Sequence, residues 1–156
     1  MNIEQKLAVE DLNARYAEAI DEGRFEEWPD FFTDDGKYRV TTAENVEQNL
    51  PLSLIYATSR AMLRDRVKAL REANIYEAQR YRHLVSATLI DQVSDGVAMV
   101  RSNYLVLRIM QDGVLSVFSA GRYLDRIELS GAEPLFQERI VVFDNKRIDT
   151  LLAIPL

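Results

Sequence analysis

His83 is the only histidine among the 156 residues, and the only side chain whose unperturbed pKa lies near neutrality. It stands in the run Tyr81-Arg82-His83-Leu84-Val85. A histidine can move protons when a carboxylate orients it within hydrogen-bond reach of a substrate proton. Asp21 and Asp30 could supply that carboxylate, and Tyr16 a phenol. The opposing reading is structural. A lone histidine without a flanking motif is a weak signal, and it serves equally as a hydrogen-bonded residue at a strand start or at an interface.

Other chemistry is excluded by inventory. With no cysteine in the sequence, disulfides, thiolate nucleophiles, Cys-ligated zinc and iron–sulfur clusters held by this chain alone are ruled out. One histidine cannot make a two-histidine, one-carboxylate iron site. There is no glycine-rich phosphate loop, no Gly-x-Ser-x-Gly elbow and no His-Glu-x-x-His helix. Phe25, Trp28, Phe31 and Phe32, spaced by three and four, read as core rather than as a ligand cage. Asp34-Asp35 reads as a turn rather than a metal site.

The formal net charge is −6 and the isoelectric point is near 4.9, so nucleic acid is not an expected partner. No apolar run approaches the roughly 18 residues of a membrane span. The N-terminus lacks the basic-then-apolar layout of a signal peptide, which makes the cytoplasm the expected location. Charge is uneven along the chain. Residues 1–35 hold 11 acidic and 3 basic groups, whereas residues 60–82 hold 7 basic and 3 acidic. Six of those seven cations are arginine, the cation favoured at protein interfaces. The basic stretch is read either as solvated helix faces or as an electropositive patch for an acidic partner.

The elements that would position these residues follow from periodicity. Ile3, Leu7, Leu12, Tyr16 and Ile20 mark an opening amphipathic helix that ends near Asp21-Glu22-Gly23. Phe25 to Phe32 predicts a short helical turn or two, with a turn at Thr33–Gly36 and a strand over Lys37–Thr42. Ala43–Leu52 reads as a loop. Ser59 is an N-cap for a helix whose stripe is Met62/Leu63, Val67 and Leu70. Arg71–Tyr81 either extends that helix or connects. From Arg82 the period becomes two, giving strands over Arg82–Val93, Val97–Ile109, Val114–Ile127 and Leu135–Phe143. Both faces of Val97–Ile109 are partly apolar, which predicts cover by helices on one side and by a partner on the other. The tail Ile148–Leu156 reads as a final strand or a docking segment. Helices followed by an antiparallel meander are an α+β layout. A strongly curved sheet on N-terminal helices would make a cone of the NTF2-like (cystatin-like) type, one domain over 1–156. Gly96, Gly113 and Gly121 stand where bends or bulges would supply curvature.

Four stretches carry a family resemblance: WPDFFTDDGKYRV, MLRDRVKALREANIYEAQRYRHLVS, YLVLRIMQDGVLSVFSAGRYLD and LFQERIVVFDNKRIDTLLAIPL. Together they resemble the small (β) subunits of aromatic-ring-hydroxylating dioxygenases over nearly the whole chain. The nearest wording is that of the terephthalate-dioxygenase and salicylate-5-hydroxylase branches. The resemblance implies the same cone. It also implies a large (α) subunit carrying a Rieske 2Fe–2S cluster and a mononuclear Fe(II), commonly in a hexamer of three α and three β, with a β trimer alone also conceivable. Electrons would come from NAD(P)H through a reductase, and the substrate would be an aromatic acid. No catalytic residue, cofactor or metal ligand is transferred to this chain. Arg80, Tyr81, Arg82 and His83 match the family's basic–aromatic strand start and are the expected contact with the large subunit.

Two rivals stand beside this reading. One is a stand-alone dehydratase or isomerase using His83 with Asp21 or Asp30, helped by Tyr16. The other is a small-ligand carrier of the same fold. Both need an open cavity. A cone plugged by bulky side chains favours the subunit.

Overall fold

The computed structural model describes residues 2–73, 78–145 and 154–156. Helix α1 (Ile3–Asp21) starts at a capping box: Asn2 accepts from the Gln5 amide at 2.8 Å, and the Gln5 side chain accepts from the Asn2 amide at 3.1 Å. Its buried face begins at Val9 and continues through Leu12, Tyr16, Ala17 and Ile20. Ile3 and Leu7, expected on that stripe, are 74% and 58% exposed because the core does not reach the first two turns. A 3-10 helix (Phe25–Phe31) follows, burying Phe25, Trp28 and Pro29.

Strand β1 (Phe32–Thr42) starts earlier than its pattern predicts. The expected turn at residues 33–36 is an irregularity inside the strand, between the pairings of Phe32 and Lys37 with the last strand. Gly36 makes it feasible: a Cβ there would lie 2.8 Å from the Phe32 Cβ and 2.9 Å from the Thr33 carbonyl. The predicted loop after β1 contains a short helix, α2 (Ala43–Glu47), capped by the Thr42 hydroxyl, and a three-residue strand, β2 (Ile55–Ala57). Both are too short to display a period. Helix α3 (Arg60–Ala73) is capped by Ser59 at 3.2 Å and buries Leu63, Val67 and Leu70, while Met62 points away. Residues 74–77 of the expected connector lie outside the described residues.

The long strands are β3 (Gln79–Ser94), β4 (Val97–Met110), β5 (Leu115–Glu128) and β6 (Leu135–Phe143). They join one six-stranded sheet in the order β2-β1-β6-β5-β4-β3. All neighbours are antiparallel except β1 and β6. The layout is α+β, with a curved, mainly antiparallel sheet over the helices. Gly96 and Gly113 serve hairpin turns rather than bulges. The bulges that break the register fall at Ser86–Leu89, Ile90–Gln92, Val106–Leu107 and Arg126–Ile127. Gly121 has a different task. A Cβ there would fall 1.9 Å from the Val142 carbonyl, so β5 and β6 can approach only at a glycine.

Among the described residues, large side chains occupy the space between helices and sheet. Arg139 on β6 is wholly buried and makes two bonds to Asp125 of β5, at 2.9 and 2.8 Å, and one to the Asn13 amide oxygen of α1. The rings of Tyr123, Phe136 and Tyr16 lie 3.8, 4.1 and 4.4 Å from its guanidinium carbon. Burial works against the Arg139 cation, but Asp125 more than offsets it and its pKa is raised. Leu156 completes the plug. Its carbonyl accepts from Tyr16 at 2.8 Å and from Tyr38 at 3.1 Å, and its amide donates to Tyr38 at 3.0 Å. The tail reading therefore resolves in part: residues 148–153 lie outside the described residues, and 154–156 are buried in the cone without strand pairing.

Arg139→Met is expected to cost about 3–5 kcal/mol in urea unfolding, because it leaves the Asp125 carboxylate buried without its cation. The double change Arg139→Met with Asp125→Leu is expected to recover most of that loss. Equal stability of wild type and the single variant would show that the pair does not organise the core.

Candidate functional site

Asp21 closes α1, and His83 faces inward from β3, the edge strand of the sheet. One Asp21 oxygen accepts the His83 amide at 2.9 Å, and the other sits 2.6 Å from Nδ1. The backbone bond has a plain cause. An edge strand presents amides that no strand satisfies, and a carboxylate brought in by a helix end satisfies this one. The Asp21 carboxylate accepts a hydrogen from Nδ1, and Nε2 has no partner among the described residues.

Both side chains are buried in this arrangement, and both form part of the wall of a groove between α1 and β3. The His83 side chain is 0% exposed and that of Asp21 5%, and both Asp21 oxygens are engaged. An acid–base pair needs an atom within reach of the proton it moves. The other two predicted members are elsewhere. The Tyr16 hydroxyl donates to Leu156, accepts from Trp28 at 3.1 Å, and belongs to the Arg139 stack. Asp30 is exposed on the 3-10 helix, 3.5 Å from Arg64. A groove of about 540 Å³ runs between α1 and β3, and Glu10, Asn13 and Arg82 line it beside the pair. It is open and polar. A void of about 10 Å³ lies where Trp28, Tyr38 and Pro155 meet Val67 and Leu70 of α3, too little for an organic ligand.

Strand alternation divides the four expected contact residues. Tyr81 and His83 are buried on the inner face, whereas Arg80 and Arg82 are exposed on the outer one. The basic stretch is also resolved. Arg60 pairs with Asp34 at 2.9 Å, Arg64 with Asp30 at 3.5 Å and Arg71 with Glu26 at 2.7 Å. Packing of α3 on the 3-10 helix brings these cations to the acidic first segment, so the expected electropositive patch is largely answered within the chain. Sequence reading missed Arg139, Asp125 and Asn13. For Asp125 and Arg139 the signal was a charge on the inward phase of an otherwise apolar strand; for Asn13 it was a polar residue on the buried stripe of α1.

Among the described residues no group of three or more His, Asp or Glu is placed to hold a metal. No described helix is long and apolar enough to cross a membrane. Fold and site together define an NTF2-like cone whose described interior is packed with large side chains, with a buried Asp21–His83 pair at the end of α1. The family model for the ring hydroxylating beta subunit matches residues 15–150, and the chain belongs to this family. It is 42% identical to terephthalate 1,2-dioxygenase, terminal oxygenase component subunit beta 1, of Comamonas sp., over 97% of this chain and 98% of that one. It is 38% identical to the anthranilate 1,2-dioxygenase small subunit of Burkholderia cepacia, over 93% and 90%. Among solved structures it resembles one from Novosphingobium aromaticivorans, described as the beta subunit of an aromatic-ring-hydroxylating dioxygenase. The TM-score is 0.90 with 37% identity, covering 99% of this chain and all of that one. The family expected from the four sequence stretches is thus the family found, and its members are components of oxidoreductases.

Two outcomes are expected. Asp21→Ala should lower stability by about 1–3 kcal/mol in thermal or chemical unfolding, because it strands the His83 amide and ring. The Arg71 bond holds the Glu26 carboxyl down to about 2, from 4.5. A lowered carboxylate stabilises above its unfolded pKa, and the gain disappears as pH falls from 4.5 toward 2. Glu26→Gln should therefore flatten that acid limb of the melting temperature, by an amount equivalent to at most about 1 kcal/mol because the pair is exposed.

Proposed function

We propose that this chain is the structural β subunit of a multicomponent Rieske non-haem iron oxygenase that hydroxylates or dihydroxylates an aromatic acid. Residues 1–156 act as one unit in the cytoplasm and assemble with a large oxygenase subunit, three of each in a hexamer; a β trimer alone is the other assembly to be tested. The Rieske 2Fe–2S cluster and the mononuclear Fe(II) sit on the large subunit, and NAD(P)H supplies electrons through a reductase. The ligand arithmetic supports this division. A Rieske cluster takes two Cys and two His, and the iron takes further His, whereas this chain has no Cys and one His.

The observation that carries the reading is the filled cone. Among the described residues, Leu156, Trp28 and the Arg139 stack occupy the interior that a ligand would need. The enzyme and carrier alternatives both need that space. The aromatic acid is suggested by the relatives, whose names specify terephthalate and anthranilate. Of the four expected contact residues, Arg80 and Arg82 are the ones available to the large subunit.

Purified alone, the chain should be colourless, hold less than stoichiometric iron by elemental analysis, and consume no oxygen with terephthalate, anthranilate or benzoate. Co-expressed with the large subunit encoded beside it, it should co-purify, and turnover should appear once a reductase is added. Conversion of an aromatic acid by the chain alone, lost on His83→Ala, would overturn the reading.

A further inference from the structure

Two polar atoms on residues of the groove between α1 and β3 are left without partners among the described residues. Asn13 is 3% exposed. Its amide oxygen accepts from Arg139, which fixes the orientation of the amide, and its nitrogen Nδ2 bonds nothing. The His83 side chain is 0% exposed; Nδ1 donates to Asp21 at 2.6 Å, and Nε2 bonds nothing. Both residues line the groove, Asn13 from the helix wall and His83 from the strand wall. Buried polar atoms are paired with protein, with water or with a ligand, so each of these calls for an occupant.

The two atoms need opposite things. Asn13 Nδ2 is a donor, and Nε2 of the neutral imidazole is an acceptor. An ammonium donates but does not accept. A carboxylate accepts but does not donate, and Glu10, Glu18 and Glu22 repel it, even with Arg24 bonded to the last two. Arg82 is the one cation lining the groove among the described residues. A metal has no group of three ligands there. A hydroxyl both donates and accepts through one oxygen. The walls beside it are small and apolar: Ala14 and Ala17 on α1, Val85 and Ala87 on β3. The groove's volume of about 540 Å³ suits a small molecule.

The strand wall is irregular at the same place. Pairing of β3 with β4 shifts between Ser86 and Leu89, and Ala87 has a φ of 52°, a left-handed conformation that alanine seldom takes. Solvent does not reach the two unpaired atoms while the wall is closed, and this bulge is where an edge strand can part from α1.

We infer that the groove is a binding site for a small uncharged hydroxyl compound with an apolar body, a phenol or an alicyclic alcohol, whose oxygen accepts from Asn13 Nδ2 and donates to His83 Nε2. Such a site lies beyond the proposed function, which gives this chain no ligand of its own.

His83 is the only histidine, so one set of imidazole signals reports on the site in nitrogen-15 NMR of the full chain. Phenol and cyclohexanol are the probes, and benzoate is the anionic control. Phenol should move the Nε2 resonance saturably, half-maximally at about 1 mM. Benzoate at the same concentrations should leave it in place. Ala14→Trp, at an exposed position, fills the groove and should weaken the response at least about tenfold, with the melting temperature unchanged. A saturable shift with phenol, with cyclohexanol or with both supports the site, and the pattern tells a ring preference from a general alcohol site. No saturable shift with either leaves ordered water only at the two atoms and overturns the inference. An equal shift with benzoate overturns it, and so does an undiminished response in Ala14→Trp. Retention of a large subunit is read in a separate experiment, so the proposed function stands or falls independently of these outcomes.

Discussion

A guanidinium taken wholly out of water sets the terms for this fold. Arg139 has no solvent to satisfy it, so its surroundings must. Asp125 supplies the opposite charge from the adjacent strand, Asn13 supplies an acceptor from the first helix, and three aromatic faces pack against the guanidinium plane. Each contact comes from a different place in the chain. The cation therefore fixes the height of α1 above the sheet and the alignment of β5 with β6 in one arrangement. Aliphatic packing would tolerate sliding among these elements. A bidentate ion pair inside a ring of aromatics does not.

The same cluster decides what the cone can do. Tyr16 belongs to the Arg139 stack and also holds Leu156 and Trp28, so the charged centre and the terminal plug form one continuous network. Side chains that could line a substrate cavity are committed to each other. The sealed Asp21–His83 pair fits this pattern. It combines residue types used in acid–base catalysis, and its two bonds join a helix end to an edge strand. The exposed apolar side chains that remain lie on the outside, on the sheet's outer face and at its β2 edge.

Charge reinforces that division. The acidic first segment and the basic third helix neutralise each other through Arg60, Arg64 and Arg71, which ties α3 to the 3-10 helix and leaves little field on that side for a partner. Along the outer sheet face the balance differs, because strand alternation sends Arg80 and Arg82 outward while Tyr81 and His83 go inward. Composition alone cannot separate these two groups of arginines. Position relative to the sheet does.

The sequence by itself determined the class, the long elements and the limits on chemistry. Period-two runs located the four long strands to within a few residues, 3.6-residue spacing located both main helices, and the absence of thiols excluded an iron–sulfur cluster held by this chain alone. Four strings of residues named the family. Local signals failed where the element spanned less than two of its own periods, as at α2 and β2, or where an irregularity mimicked a reversal, as at residues 33–36. Tertiary structure alone decided whether His83 met Asp21 or Asp30, whether Arg139 was a surface charge or the centre of the core, and whether the cone was open. Those outcomes depend on which distant residues come within about 3 Å of one another. That distance is set by the packing of α1 and the register of β5 on β6, and no separation counted along the chain contains it.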